Sequence, residues 1–267
     1  MADVLRRLAS LGRRLTAGSP PRPGPLPHRP QSRPRVLVIG VYVSGKENLS
    51  RHIVETLGLS DACEVTQRWL SIGPVSTDPL VARHTLASIE TPTPKFTLLN
   101  RHVRPEELEA HDYFMVCDDD VFLPPDFVDR FIGWQQHCGF ALAQPARTWN
   151  SFTDHSFVRR RPWLRARRTR FVEIGPVFCA ARPMAKLMFP FDLSSPMGWG
   201  YDLVWPVLAE RNAMTLGIVD DVAIEHSIRP RGALYKASAE IESMARLLQA
   251  NEHLSAREAF VCLERYR

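Results

Sequence analysis

Cysteine is scarce and unpatterned in this chain. Its five cysteines, Cys63, Cys117, Cys138, Cys179 and Cys262, are odd in number and widely spaced, with no C-x-x-C pair. That excludes a disulfide framework and a cysteine-built zinc site, and a reducing, cytoplasmic setting is the expectation. Long apolar runs are also missing: no stretch of the sequence approaches the roughly 20 residues a membrane-spanning helix needs, and the first residues hold no apolar secretory core. No internal repeat is present. Outside one end, an excess of either charge is lacking too. The formal net charge is +5, but residues 1–35 carry eight arginines against Asp3 alone, which leaves the remaining 232 residues at −2. A nearly neutral body does not present the basic footprint that nucleic-acid binding needs, so no nucleic-acid partner is expected.

What is present is enough apolar material for a full core, 45% of 267 residues, in one large α/β unit. Val4, Leu8, Leu11 and Leu15 fall at helical spacing among arginines. Such a segment suits peripheral contact with anionic lipid at the inner face of a membrane, an organelle-targeting peptide, or a solvated tail, and the three stay open. Prolines crowd residues 19–34, so residues 1–34 divide into a basic segment and an extended linker, and the folded domain is expected over residues 35–267. Within it, strands are expected at 35–43, 65–72, 95–99, 113–117 and 141–144, with helices at 47–57 and 126–137. Residues 149–170 lack periodicity and read as a long loop holding seven arginines. Residues 171–180 read as strand-like, 202–211 as a helix, 214–226 as one or two strands, and 237–249 and 256–265 as closing helices. This alternation predicts a mainly parallel sheet flanked by helices, with ligands bound beyond the carboxyl ends of its strands.

One such end carries the chemistry. Tyr113-Phe-Met-Val-Cys runs directly into Asp118, Asp119 and Asp120. Three adjacent carboxylates beside a buried strand call for a divalent metal, a basic partner, or a loop that keeps them in water. Strand alternation lets Asp118 and Asp120 face the same way, and hard oxygen ligands suit Mn²⁺ or Mg²⁺, whose open positions accept substrate phosphates. A rival phosphate site, Gly40-x₄-Gly45-Lys46, matches the spacing of a phosphate-binding loop, but Glu47 stands where a Ser or Thr hydroxyl is needed.

Further along, Gly198-Trp199-Gly200-Tyr201-Asp202 makes a tight turn that lets a substrate approach the backbone, with Asp202 in a first helical turn where it could equally act as a cap. His226 closes an apolar strand pattern. The arginines between 159 and 170 suit a lid over a diphosphate, a dock for an acidic acceptor glycan, or a solvated loop. Trp149, Trp163 and Trp199 could stack on sugars or simply pack.

Taken in order, the Asp triplet, the Gly175-Pro176 strand, the GWGYD turn and the late His226 resemble the GT-A glycosyltransferases. More narrowly, residues 112–125, 143–146, 171–182, 198–206 and 216–227 are similar to a plant and bacterial GT-A-like family once misnamed as related to lysine-ketoglutarate reductase. The resemblance covers residues 35–235. It implies a nucleotide-diphosphate sugar donor, a glycan or other hydroxyl acceptor, and Mn²⁺ or Mg²⁺ as cofactor. It further implies Asp118, Asp120 and His226 as metal ligands and Val41, Asp118 and Asp119 as nucleotide contacts. Asp202 becomes the base of an inverting transfer, and Gly175, Gly198, Trp199, Gly200 and Tyr201 line the acceptor. Two other readings stay open: a catalytically silent glycan- or nucleotide-binding module, and a nucleotidyltransferase using the same Asp pair.

Overall fold

The computed structural model describes residues 33–229 and 237–267. The first half runs β1 (Arg35–Val43), α1 (Ser50–Gly58), β2 (Glu64–Ile72), α2 (Pro79–Ala82), β3 (Thr85–Ile89), α3 (Lys95–His102), α4 (Pro105–Ala110), β4 (Tyr113–Asp118) and α5 (Phe127–His137). The second half runs β5 (Phe140–Arg147), β6 (Ala166–Thr169), β7 (Val177–Ala181), α6 (Arg182–Met188), α7 (Tyr201–Arg211), β8 (Thr215–Ile224), α8 (Ala237–Ala250), α9 (Ala256–Ala259) and β9 (Cys262–Tyr266). Among the described residues the strands form one nine-stranded sheet in the order β3-β2-β1-β4-β7-β5-β8-β6-β9. All strands but β6 and β7 share one direction.

β1 shows why the sheet takes helices on both sides. Val36 and Val38 enter one core with Trp69, Phe127 and Phe131, while Leu37 and Ile39 enter the other with Phe96, Phe114 and Trp205. A strand buried on both faces must be apolar at every position, which is what residues 36–39 supply. Gly40 is a packing glycine: a Cβ there would lie 2.2 Å from the Trp69 ring. β1 then pairs with β2 through Val43, so the stretch with phosphate-loop spacing is strand and not a loose cradle.

Several sequence expectations need correction. Residues 95–99 form the start of α3, not a strand; Pro94 caps it, and Phe96, Leu98 and Leu99 are buried. A short apolar run carries no period that separates strand from buried helix. The arginine-rich segment is not all loop, since β6 pairs with β8 and β9. Residues 256–265 hold only the one-turn α9 before β9 covers the β6 edge. The strand expected over 171–180 begins only at Val177. The readings for the tail and linker lie outside the described residues, apart from Arg33 and Pro34. Among the described residues, no helix is long and apolar enough to cross a membrane.

Two strand ends meet beyond the sheet. Phe122 and Glu225 form an antiparallel bridge, exchanging backbone hydrogen bonds of 2.8 and 3.2 Å. That bridge carries the residues after β4 against those after β8. A test of the packing is Gly40→Ala, which forces the Trp69 ring to move. Urea unfolding is expected to show a loss of about 1–3 kcal/mol; an unchanged midpoint would contradict the tight β1–Trp69 contact.

Candidate active site

Asp118 ends β4, and its N–H donates to the Pro176 carbonyl at 2.8 Å. Its carboxylate meets Lys95 Nζ at 3.1 Å, and Lys95 also donates to the Ile174 carbonyl at 3.3 Å. Gly175 makes room for that pair, because a Cβ there would lie 2.9 Å from Lys95 Nζ and 3.1 Å from Asp118 Oδ2. Past Asp118 the chain turns, so strand alternation no longer decides where the carboxylates point. Asp119 swings back to accept the Val43 N–H at 2.8 Å, while its carbonyl accepts the Leu49 N–H at 2.6 Å. Asp120 Oδ2 lies 3.2 Å from His226 Nε2.

Asp119 and Asp120 share a partner that sequence reading did not name. Arg229 pairs with Asp119, reaches Asp120 Oδ2 through Nε at 3.1 Å, and donates to the Glu47 carbonyl at 3.2 Å. Burial pushes the Asp119 carboxyl up to about 6, against the pull of Arg229 and the Val43 N–H. Asp120 goes the other way. Its burial also favours the neutral acid, but the hydrogen bond and charge of His226, with Arg229 behind them, hold it below the usual carboxylate value. Asp118, with Lys95, stands apart from this shared contact.

From His226 a polar chain runs inward. Nδ1 faces Arg147 Nη1 at 3.3 Å, and Arg147 Nη2 donates to Glu173 Oε2 at 2.8 Å and to the Gly175 carbonyl at 2.6 Å. Glu173 is buried, and its N–H donates to Gln144 Oε1 at 2.5 Å. Asp202 sits in the first turn of α7, but Gly200 is the cap, with φ 96°. Burial pushes the Asp202 carboxyl up to about 7, and the negative charges of Glu173 and Asp154 add to the rise. A carboxylate poised near neutrality is suited to accept a proton.

Whether these residues suit a divalent ion turns on donor type and separation. Adjacent ligands of an octahedral ion at about 2.1 Å stand roughly 3.0 Å apart, close to the 3.2 Å between Asp120 and His226. Among the described residues no three such groups converge. Two are enough for an ion that completes its shell with substrate phosphates and water. The donor types suit the ion once Nε2 is free of its hydrogen, a change that Arg147 Nη1, 3.3 Å from Nδ1, opposes, and Arg229 competes for the same carboxylates.

The remaining expected residues are placed as follows. Val41 lies beside Asp118 in register and is half-buried. Gly198 has φ 89°, and a Cβ there would strike the Phe96 ring at 2.2 Å. Tyr201 is buried, stacks on Trp205 at 5.5 Å, and donates its hydroxyl to the Asp192 carbonyl at 2.7 Å. The Trp199 carbonyl accepts from Ser195 Oγ at 2.8 Å. The GWGYD turn is thus explained by packing as far as its glycines and Tyr201 go. Lys95, Arg147, Glu173 and Arg229 escaped the sequence reading; for Arg229 the signal was the demand of three carboxylates for a cation.

No family model matches the chain, and no curated protein matches it. Solved structures do. The mannosyltransferase PcManGT from Pyrobaculum calidifontis, in complex with GDP-Man and Mn²⁺, is 16% identical over 94% of this chain and 73% of its own, with a TM-score of 0.53. GalNAc-T7 with UDP, GalNAc and Mn²⁺ is 11% identical over 82% of this chain and 48% of its own, at 0.56. S. aureus TarS 1-349 in complex with UDP-GlcNAc is 12% identical over 84% and 69%, at 0.51. Such likeness establishes the fold: a single GT-A domain with a mostly, though not wholly, parallel sheet.

The Asp202 geometry makes a pH prediction. A carboxyl raised in the folded state stabilises the unfolded chain progressively as pH climbs from about 4 to about 7, and the penalty is complete above that. Asp202→Asn is expected to be more stable than the native chain at pH 8 by on the order of 2 kcal/mol, and equal to it near pH 4. Calorimetric melting across pH checks this; parallel curves would contradict the raised carboxyl at this half-buried position.

Proposed function

We propose that this chain is a glycosyltransferase that moves a sugar from a nucleotide-diphosphate donor to a hydroxyl acceptor. The observation that carries the reading is the meeting of Asp120 and His226 across the Phe122–Glu225 bridge, on a GT-A sheet whose β4 ends at Asp118, with Asp202 within reach of the charge of Glu173. Asp120 and His226 would hold Mn²⁺ or Mg²⁺, and Asp118, paired with Lys95, would join them only by leaving that partner. Such an ion neutralises charge developing on a departing diphosphate.

The protein's own groups do the rest. Asp202 takes the proton of the acceptor hydroxyl as that oxygen attacks the anomeric carbon, a step to which a placed carboxylate contributes roughly 10²–10⁴-fold. Attack from the face opposite the leaving diphosphate inverts the configuration. Arg147 and Glu173 hold His226 and the Gly175 backbone in place. Val41 and Asp119 border the nucleotide, and the turn at Gly198, Trp199 and Gly200, backed by the buried Tyr201, borders only the reacting hydroxyl of the acceptor, beside Asp202.

Arg229 favours a second reading. An arginine that already satisfies Asp119 and Asp120 suits a catalytically silent module that keeps the fold and binds a glycan or nucleotide. Titration calorimetry with UDP and GDP, with and without Mn²⁺, separates the two. The transferase reading expects Mn²⁺-dependent binding, and it expects Arg229→Gln to tighten Mn²⁺ by about tenfold, because a competing cation is gone. Folded protein without metal-dependent nucleotide binding would contradict it.

Turnover gives the second test. Asp202→Asn should retain nucleotide binding while losing roughly 10²-fold or more in kcat. Equal silence of both forms on a broad donor and acceptor panel supports the module, and release of pyrophosphate in place of nucleoside diphosphate identifies a nucleotidyltransferase.

A further inference from the structure

Six of the seven arginines between 159 and 170 divide into two sets. Arg165 pairs with Asp221 at 2.7 Å, Arg170 with Glu210 at 2.5 Å, and Arg167 with Asp220 at 2.8 Å, the last pair wholly buried. Arg167 also donates to the carbonyls of Phe157 and Arg159, and Asp220 accepts the Arg161 N–H at 2.8 Å. A buried pair with its remaining donors and acceptors satisfied is costly to break, so it fixes the backbone around residues 157–161 against β8. The segment is a built wall.

Arg159, Arg160 and Arg161 form the second set. With Arg265 and Arg267 they line a cavity of about 400 Å³, within the size range of small-molecule sites. Among the described residues none of these five pairs with a carboxylate, and Arg160 Nε is buried with no hydrogen-bond partner. Five cations gathered with no ion pair among them, only Arg161 sensing the charge of Asp220, repel one another and favour an anion. Trp149 and Trp163 also line the cavity and are 69% and 75% exposed. The Arg159 guanidinium lies 5.5 Å from the Trp149 ring and is tied to the Trp149 carbonyl at 2.5 Å. Flat aromatic faces beside guanidinium forks match a ligand with apolar ring faces and anionic substituents.

One backbone hydrogen bond links the cavity wall to the candidate active site. The Arg160 N–H donates to the Arg147 carbonyl at 2.8 Å, and Arg147 is the residue whose side chain reaches His226 and Glu173. We propose that this arginine–tryptophan cavity is the acceptor subsite, and that it takes a carbohydrate bearing carboxylate, sulfate or phosphate groups. The acceptor role rests on the transferase reading above; the ligand class rests on the cavity alone.

The experiment titrates the full chain with oligogalacturonate, a heparin-derived oligosaccharide, neutral maltopentaose, inorganic phosphate and a single-stranded oligonucleotide, following tryptophan fluorescence. The anionic oligosaccharides are expected to bind and quench, weakening as salt rises, and maltopentaose is not. Arg160→Gln with Arg265→Gln should weaken them by roughly tenfold or more while leaving UDP and GDP binding unchanged. If that pair perturbs folding, Arg265→Gln with Trp163→Ala, both at exposed side chains, carries the same test. Equal binding of neutral and anionic sugars, binding of inorganic phosphate as tight as that of any sugar, or tighter binding of the oligonucleotide would each overturn the proposal. So would variants that bind the anionic sugars as the native chain does. Nucleotide binding without anionic-sugar binding overturns the subsite and spares the transferase reading. Anionic-sugar binding without any nucleotide binding does the reverse, supporting the ligand class while removing the acceptor role.

Discussion

Two adjacent carboxylates, Asp119 and Asp120, are buried at the end of the central sheet, and neither can be ionised there without a cation. Much of the local structure answers that demand. The Val43 N–H, His226 and Arg229 all converge on the pair, from β1, from the end of β8, and from the stretch beyond it. The Phe122–Glu225 bridge makes the convergence possible by binding the two chain segments to each other. Arg229 neutralises these oxygens from within the chain, and a divalent ion at this end of the sheet would compete with it for them.

The same electrostatics spreads outward from His226. Arg147 separates that imidazole from Glu173, and burial, with the charge of Glu173 adding to it, raises the Asp202 carboxyl. The cations thus depress Asp120, while burial and a neighbouring anion raise Asp202. Carboxyl groups pushed in opposite directions by their surroundings are the pattern expected where one binds charge and the other moves a proton. The Arg167–Asp220 pair plays a mechanical part at the neighbouring cavity, turning an arginine-rich stretch into a wall.

Much of this was legible in the sequence because burial leaves a pattern. The apolar run of β1 and the Asp triplet that follows β4 announce a sheet with a charged end, and the glycine turn before α7 marks its helix. Short apolar runs carry no such period, which is why α3 looked like a strand and why Lys95, at its first turn, was missed. β6 hid because Ala166–Thr169 is half arginine, and an arginine is buried there only through its pairing with Asp220, a contact that no local pattern encodes. Arg147 and Glu173 were invisible for the same reason. Each is charged, and each is buried by the other.

The claim on which the account stands is that Asp120 and His226 form one seat for a divalent ion, with Arg229 as its displaceable stand-in. Crystals of the full chain grown with Mn²⁺ and a nucleoside diphosphate, measured at the manganese absorption edge, address it directly. The account predicts an anomalous peak between Asp120 and His226, with Arg229 withdrawn from Asp120. Bound nucleotide with no peak there, and Arg229 still paired to Asp119 and Asp120, would contradict it.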